Sequence, residues 1–149
     1  MEDGLVALFE RFFPGRTSEE NALLERLMAS RQVAAGESLF CAGQPRDALY
    51  LVAQGAFAVH RHLGLEERSL VVALLSQGAA IGEGVIGGPK PHCSTVVAME
   101  PSTVLALTGE ALTELETEAP RLFIVLLKKI LAMSSLRLEK NTDRLVLVL

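Results

Sequence analysis

The sequence predicts a mainly β domain held between helices, and three observations point to it. Short apolar stretches alternate with Gly, Pro and Asp from about Gln32 to Leu107, at the interval of successive strands in a sandwich or barrel. Helical periodicity occupies the chain on either side of that region. Half of the 149 residues are apolar, enough for one sizeable core. The chain therefore divides into N-terminal helices over residues 1–31, a β region over 32–108 and a helical part over 109–149, all within a single domain.

Each element has its own justification. Leu5, Leu8, Phe9, Phe12 and Phe13 form one apolar helical face, which "PGRTSEE" interrupts while offering Ser18 as the N-cap of a second helix. Ala22, Leu23, Leu27 and Met28 are the expected inward residues of that second helix. The candidate strands are "SLFCA", "LYLVAQG", "AFAVHRH", "RSLVVALL", "STVVAM" and "TVLALT". Within "GAFAVHRH", Phe57 and Val59 alternate with small or polar neighbours, as a half-buried strand should. After Thr108, "GEALTELETEAP" carries acidic residues along one side and ends before Pro120.

"APRLFIVLLKKILAMSSLRLEKNTDRL" then reads as one long helix. Ile124, Leu127, Leu131, Ser134, Leu138, Asn141, Leu145 and Val148 recur along it at alternating steps of three and four, and six of these eight are apolar. The pattern is that of a coiled-coil seam joining two copies, with Asn141 as a register-setting polar position. The competing expectation is a helix packed on its own sandwich. The closing "LVLVL" would leave an exposed apolar tail on a monomer, which favours a partner.

Composition narrows the function classes. A net charge of -4, few aromatics and no Trp argue against direct nucleic-acid binding. Cys41 and Cys93 are far apart and have no Cys or His partner at zinc spacing, while the acidic start "MEDGLVALFE" lacks the basic opening of a secretory signal. Both features suggest a reduced, cytoplasmic protein. Apolar runs such as "LFIVLL" fall short of the roughly 18 residues a membrane span requires. No nucleophile–base pair, metal cluster or Walker loop is present, so no enzyme is expected. His60 and His62 share one strand face at a spacing that could grip a metal, but a surface strand pair is the simpler interpretation.

Gly36, Gly43 and Gly55 recur at intervals of seven and twelve, each at a strand end or turn where glycine permits positive φ or close backbone approach without a Cβ penalty. With "GESLFCAG", "ALYLVAQGAFAV", "LLSQGAAIGEG" and "PSTVLALTGEAL" following in order, the chain resembles the cyclic-nucleotide-binding domain family from about Phe9 to Leu145. The resemblance implies an eight-stranded β jelly roll with N-terminal helices, a hinge helix and a long C-terminal helix. Transcription factors of this family continue into a helix-turn-helix, and this chain ends where that domain would begin, so a stand-alone sensor or adaptor is expected.

The stretch "AIGEGVIGGPKPHCSTV" is similar to the family's phosphate cassette. The resemblance assigns Gly82 to close backbone approach and Glu83 to the ribose 2'-hydroxyl, with a short helix after Glu83 aiming free N–H groups at the phosphate. Nine residues after Glu83, where the family has an arginine forked onto the phosphate, this sequence has His92 between Pro91 and Cys93. Arginine is always charged, whereas a histidine of ordinary pKa near 6.5 is mostly neutral at pH 7. Leaving a buried charge without its partner costs roughly 3–5 kcal/mol, or about two to four orders of magnitude in affinity.

Three features argue for a cassette that still works in altered form. Lys90 would bring an ammonium, a bound phosphate would raise the pKa of His92, and Ser94 and Thr95 would add hydroxyl donors. Against these, Gly84, Gly87 and Gly88 disfavour a helix, and Ala79 and Ala80 replace acidic and aromatic residues usual in the family. The expected ligand contacts are therefore Gly82, Glu83, Gly84, Lys90, His92, Cys93, Ser94 and Thr95, with cyclic AMP or cyclic GMP as the candidate ligand and no cofactor. The expected function is a regulatory sensor that couples this ligand to the position or dimerisation of the C-terminal helix. The alternative is a degenerate domain that binds no cyclic nucleotide and serves as a dimeric scaffold for a protein partner the sequence does not name.

Overall fold

In the computed structural model, which describes residues 2–64, 68–88 and 90–148, the first periodic segment folds as helix α1 (Glu2–Phe12). Leu8, Phe12 and Phe13 are fully buried, and Leu5 and Phe9 pack beside them as their spacing predicts. Helix α2 (Ser18–Leu27) is capped by Thr17 and not by Ser18. The Thr17 hydroxyl accepts the Glu20 amide at 3.1 Å while the Glu20 carboxylate accepts the Thr17 amide at 2.9 Å. Glutamate three residues after Thr17 completes this reciprocal box, so the chain enters the helix one residue earlier than expected. The buried residue of α2 is Leu24, with Leu23, Leu27 and Met28 partly buried and Ala22 exposed.

Eight antiparallel strands are seen among the described residues: β1 (Ala29–Val33), β2 (Ser38–Phe40), β3 (Ala48–Gln54), β4 (Ala56–His62), β5 (Ser69–Ser76), β6 (Ala80–Ile81), β7 (Thr95–Ala98) and β8 (Ser102–Thr108). They form two four-stranded sheets in the orders β1-β8-β3-β6 and β2-β7-β4-β5, a jelly roll. Strands β1 and β6 were not foreseen, and the β region starts at Ala29 and not at Gln32. Strand β1 is polar and exposed until Val33, and β6 has two residues, so neither carries a period-2 signal. Gly36, Gly43 and Gly55 all adopt positive φ at the corners between strands.

Strand β3 explains how the layers are joined. Leu49, Leu51 and Ala53 face the helices, whereas Ala48, Tyr50 and Val52 face the opposite sheet, where they meet Phe40, Phe57 and Val96. Burial on both faces accounts for the unbroken apolar run in "ALYLVA".

Helix α3 (Gly109–Glu118) follows β8, with the Thr108 hydroxyl capping it, and Ala119 breaks the helical path before Pro120 opens α4 (Pro120–Val148). Leu122, Leu126 and Ile130 bury one face of α4 against the helix-side core, and Met133 continues that stripe. The predicted seam lies on another face: Ile124, Leu131, Leu138, Leu145 and Val148 are 51–83% exposed. Leu127 and Ser134 are half-buried and Asn141 is exposed. The helix thus packs into its own domain's helix-side core and still leaves most of the seam bare. Leu145 to Val148 of the closing apolar run are exposed, and Leu149 lies outside the described residues.

Candidate functional site

Strand β6 ends at Ile81, and the chain turns through Gly82 into a 3-10 helix over Glu83–Gly87. Gly82 has φ 77°, and a Cβ there would stand 2.9 Å from the Ala48 carbonyl oxygen. Its missing side chain is what lets this turn press against β3. The glycine-rich sequence gives the tighter helix type in place of an α-helix turn. Beside it opens a cavity of about 290 Å³, at the small end of ligand pockets, which run from roughly 300 to 1,000 Å³.

Glu83 sits at the cavity edge and reaches α4. Its Oε1 accepts the Ser134 hydroxyl at 3.4 Å and Arg137 Nη1 at 3.3 Å. Arg137 Nη2 also donates to the Ala80 carbonyl at 3.2 Å, tying α4 to the start of the cassette. Among the described residues, nothing donates to Glu83 Oε2.

His92 occupies the far wall. Its amide donates to the Gln44 carbonyl and its own carbonyl accepts the Gly43 amide, both at 2.8 Å, so the β2–β3 loop fixes its backbone. The imidazole stacks on Phe40 with ring centroids 3.6 Å apart and planes 7° from parallel. The residue is only 7% exposed, and Nε2 has no hydrogen-bond partner among the described residues. Burial pushes the imidazole below its ordinary pKa; nearby Asp47 opposes that shift and Arg46 adds to it. The ring is therefore neutral at pH 7 and supplies no cation.

The cavity brings together Gly82, Glu83, Gly84, His92, Cys93 and Ser94. Lys90 is exposed and does not line it. The Thr95 hydroxyl accepts the Ala42 amide at 3.0 Å and is likewise outside the lining. Pro89 of the cassette lies outside the described residues.

Two arginines on the cavity wall, Arg46 and Arg137, escaped the sequence reading. Arg137 left a signal, as a cation continuing the stripe Leu122, Leu126, Ile130 and Met133 on the packed face of α4. Arg46 left none, because it is distant in sequence from the cassette and meets it only through the fold.

Among the described residues, no group of three or more His, Cys, Asp or Glu could hold a metal ion, and no helix is long and apolar enough to cross a membrane. His60 is half-buried and His62 exposed on β4.

The family model for the cyclic nucleotide-binding domain matches residues 30–118. The chain is 36% identical over 99 residues to the cyclic AMP receptor protein of Thermus thermophilus, covering 66% of this chain and 45% of that protein. It thus spans less than half the length of this curated relative. The crystal structure of the Thermus thermophilus catabolite activator protein shares 31% identity at a TM-score of 0.71, over 93% of this chain and 62% of that one. A cyclic nucleotide-binding domain from Methylobacillus flagellatus aligns at a TM-score of 0.86 over 99% of this chain and 83% of that one. At 23% identity that likeness speaks for the fold alone. These relatives are named as a receptor protein, an activator protein and a binding domain, and none of these names is that of an enzyme. A match over residues 30–118, sustained by a relative above 30% identity and by the jelly-roll geometry, places the chain in the cyclic nucleotide-binding domain family.

Proposed function

We propose that this chain is a ligand-gated regulatory module in which a cyclic nucleotide, cyclic AMP or cyclic GMP, enters the cavity and shifts α4. The observation that carries this reading is the contact from Glu83 to Ser134 and Arg137, which links the cassette carboxylate directly to the C-terminal helix. A ribose hydroxyl donating to the open Oε2 would redistribute the carboxylate's hydrogen bonds and alter its hold on Arg137.

The hold is weak enough to exchange. At 3.3 Å it is longer than the roughly 2.7–2.9 Å of strong charge-assisted bonds, and both side chains are 30% exposed. Such a pair contributes about 0–1 kcal/mol. A ligand moves α4 only by as much as it prefers one helix position over the other. The exposed seam of α4 then offers the readout, as the pairing face for a second copy. The shared core of the helices and the roll supports reading the chain as one domain, and the unpaired Cys41 and Cys93 suit a reducing, cytoplasmic compartment.

The burial of His92 favours a second reading, a module that binds no cyclic nucleotide and works through the α4 face alone. Calorimetry with cyclic AMP, cyclic GMP and a cyclic dinucleotide at pH 6 and pH 8 separates the two. Gating predicts binding heat together with altered hydrogen exchange along α4, and predicts that Arg137→Ala raises exchange there without ligand. Absence of heat at both pH values, from the natural chain and from His92→Arg alike, sinks the gating reading and leaves the second.

A further inference from the structure

The cassette lacks its arginine, yet the cavity does not lack a cation. Arg46, in the loop leading into β3, lines the same cavity as Glu83, Gly84 and His92 and is half-buried. Its Nη1 donates to the Gly84 carbonyl at 3.3 Å, so the guanidinium lies against the cassette turn. We propose that Arg46 is the residue that holds the ligand's anionic phosphate in this cavity, supplying from the β2–β3 loop the charge that the cassette strand does not. The proposal rests on the ligand-gated reading above and names the residue that decides its ligand's charge.

Three observations converge on this guanidinium. First, it is unspent: a guanidinium has five N–H donors, one is used on Gly84, and no carboxylate pairs with Arg46 among the described residues. Arg137, the other arginine on the wall, already faces a carboxylate, donating to Glu83 and to the Ala80 carbonyl.

Second, the turn lies close against it. A Cβ on Gly84 would stand 2.6 Å from the guanidinium carbon of Arg46, so a larger residue at position 84 would push this mobile side-chain end aside.

Third, the cassette's own candidates bring no charge to the wall. His92 is buried flat on Phe40, and Lys90 is exposed and outside the lining. A planar fork with free donors in a partly enclosed cavity matches the oxygens of a phosphate, which it can grip through two parallel bonds.

The test is calorimetry at pH 8 with cyclic AMP, cyclic GMP and inorganic pyrophosphate, the last an anion without base or ribose. It compares the natural chain with Arg46→Ala, Arg46→Lys and Lys90→Ala, and uses Lys128→Ala, a charge removed from the exposed side of α4, as the reference. Melting temperatures show that each variant is folded. The expected result is that the natural chain binds a nucleotide, that Arg46→Ala weakens it about 10- to 100-fold and that Arg46→Lys falls between them. Binding by Arg46→Ala within about threefold of the natural chain, or loss in Lys90→Ala instead, overturns the assignment and leaves the ligand-gated reading standing. Pyrophosphate binding that Arg46→Ala abolishes, with no nucleotide bound, upholds Arg46 and defeats the cyclic-nucleotide reading. No heat from any probe overturns both.

Discussion

The imidazole of His92 lies flat on the ring of Phe40, centroids 3.6 Å apart and planes 7° from parallel. The histidine of the cassette is therefore a packed part of the inter-sheet core's rim. Its place is set by two backbone hydrogen bonds to the β2–β3 loop, through Gln44 and Gly43. His92 thus makes a packing contact, and the same loop carries Arg46.

The first prediction concerns acid stability. The folded chain holds the His92 pKa below its ordinary value, mainly through burial, with Arg46 adding to the depression and Asp47 opposing it. In the unfolded chain the imidazole takes a proton near its ordinary pKa of about 6.5. Below that pH the unfolded state binds more protons than the folded one, so stability falls as pH drops through and below about 6.5 and is recovered above it. Urea midpoints at pH 8 and pH 5 should therefore differ more for the natural chain than for His92→Phe, which keeps a stackable ring and cannot titrate. Equal pH slopes for the two proteins would show that His92 is not the group responsible.

A second prediction separates the glycines of the cassette turn. Gly82→Ala forces a Cβ into left-handed backbone and to within 2.9 Å of the Ala48 carbonyl. The backbone conformation alone costs about 1–2 kcal/mol, and the contact with β3 adds to it. Gly87→Ala meets nothing within 4 Å among the described residues and needs no positive φ, so it should be close to neutral. Denaturant midpoints check both, and equal losses for the two variants would refute the packing account of Gly82.

Much of the fold was legible because its periodicities are local. The Leu8, Phe12 and Phe13 face, the alternation in β4 and the long helix after Pro120 each declare themselves within one element. Strand β6 could not, since its two residues, Ala80 and Ile81, are paired only by Tyr50 and Leu51 of β3. The site divides the same way. Gly82, Glu83 and His92 were visible as a spaced motif, whereas Arg46 enters by a contact between residues 38 apart in the chain. Whether His92 would carry charge was likewise beyond sequence, because stacking on Phe40 and loss of solvent decide it.

The last prediction concerns the bare face of α4. Leu131, Leu138 and Leu145 are 58–68% exposed and lie at heptad spacing with Asn141, while Leu122, Leu126 and Ile130 are spent on the helix's own core. A second copy would cover the exposed row by knobs-into-holes packing, and an Asn at one such position fixes register at a cost in stability. Sedimentation of the natural chain should give a dimer. Leu138→Asp should give a folded monomer, because a charge at a core seam position is buried without a partner in the dimer and solvated in the monomer. Asn141→Leu should tighten association and relax its register, whereas Val6→Asp, on an exposed position of α1, should leave the dimer intact. A natural chain that stays monomeric at high concentration, or a dimer that survives Leu138→Asp, would remove α4 as the pairing face and with it the proposed readout.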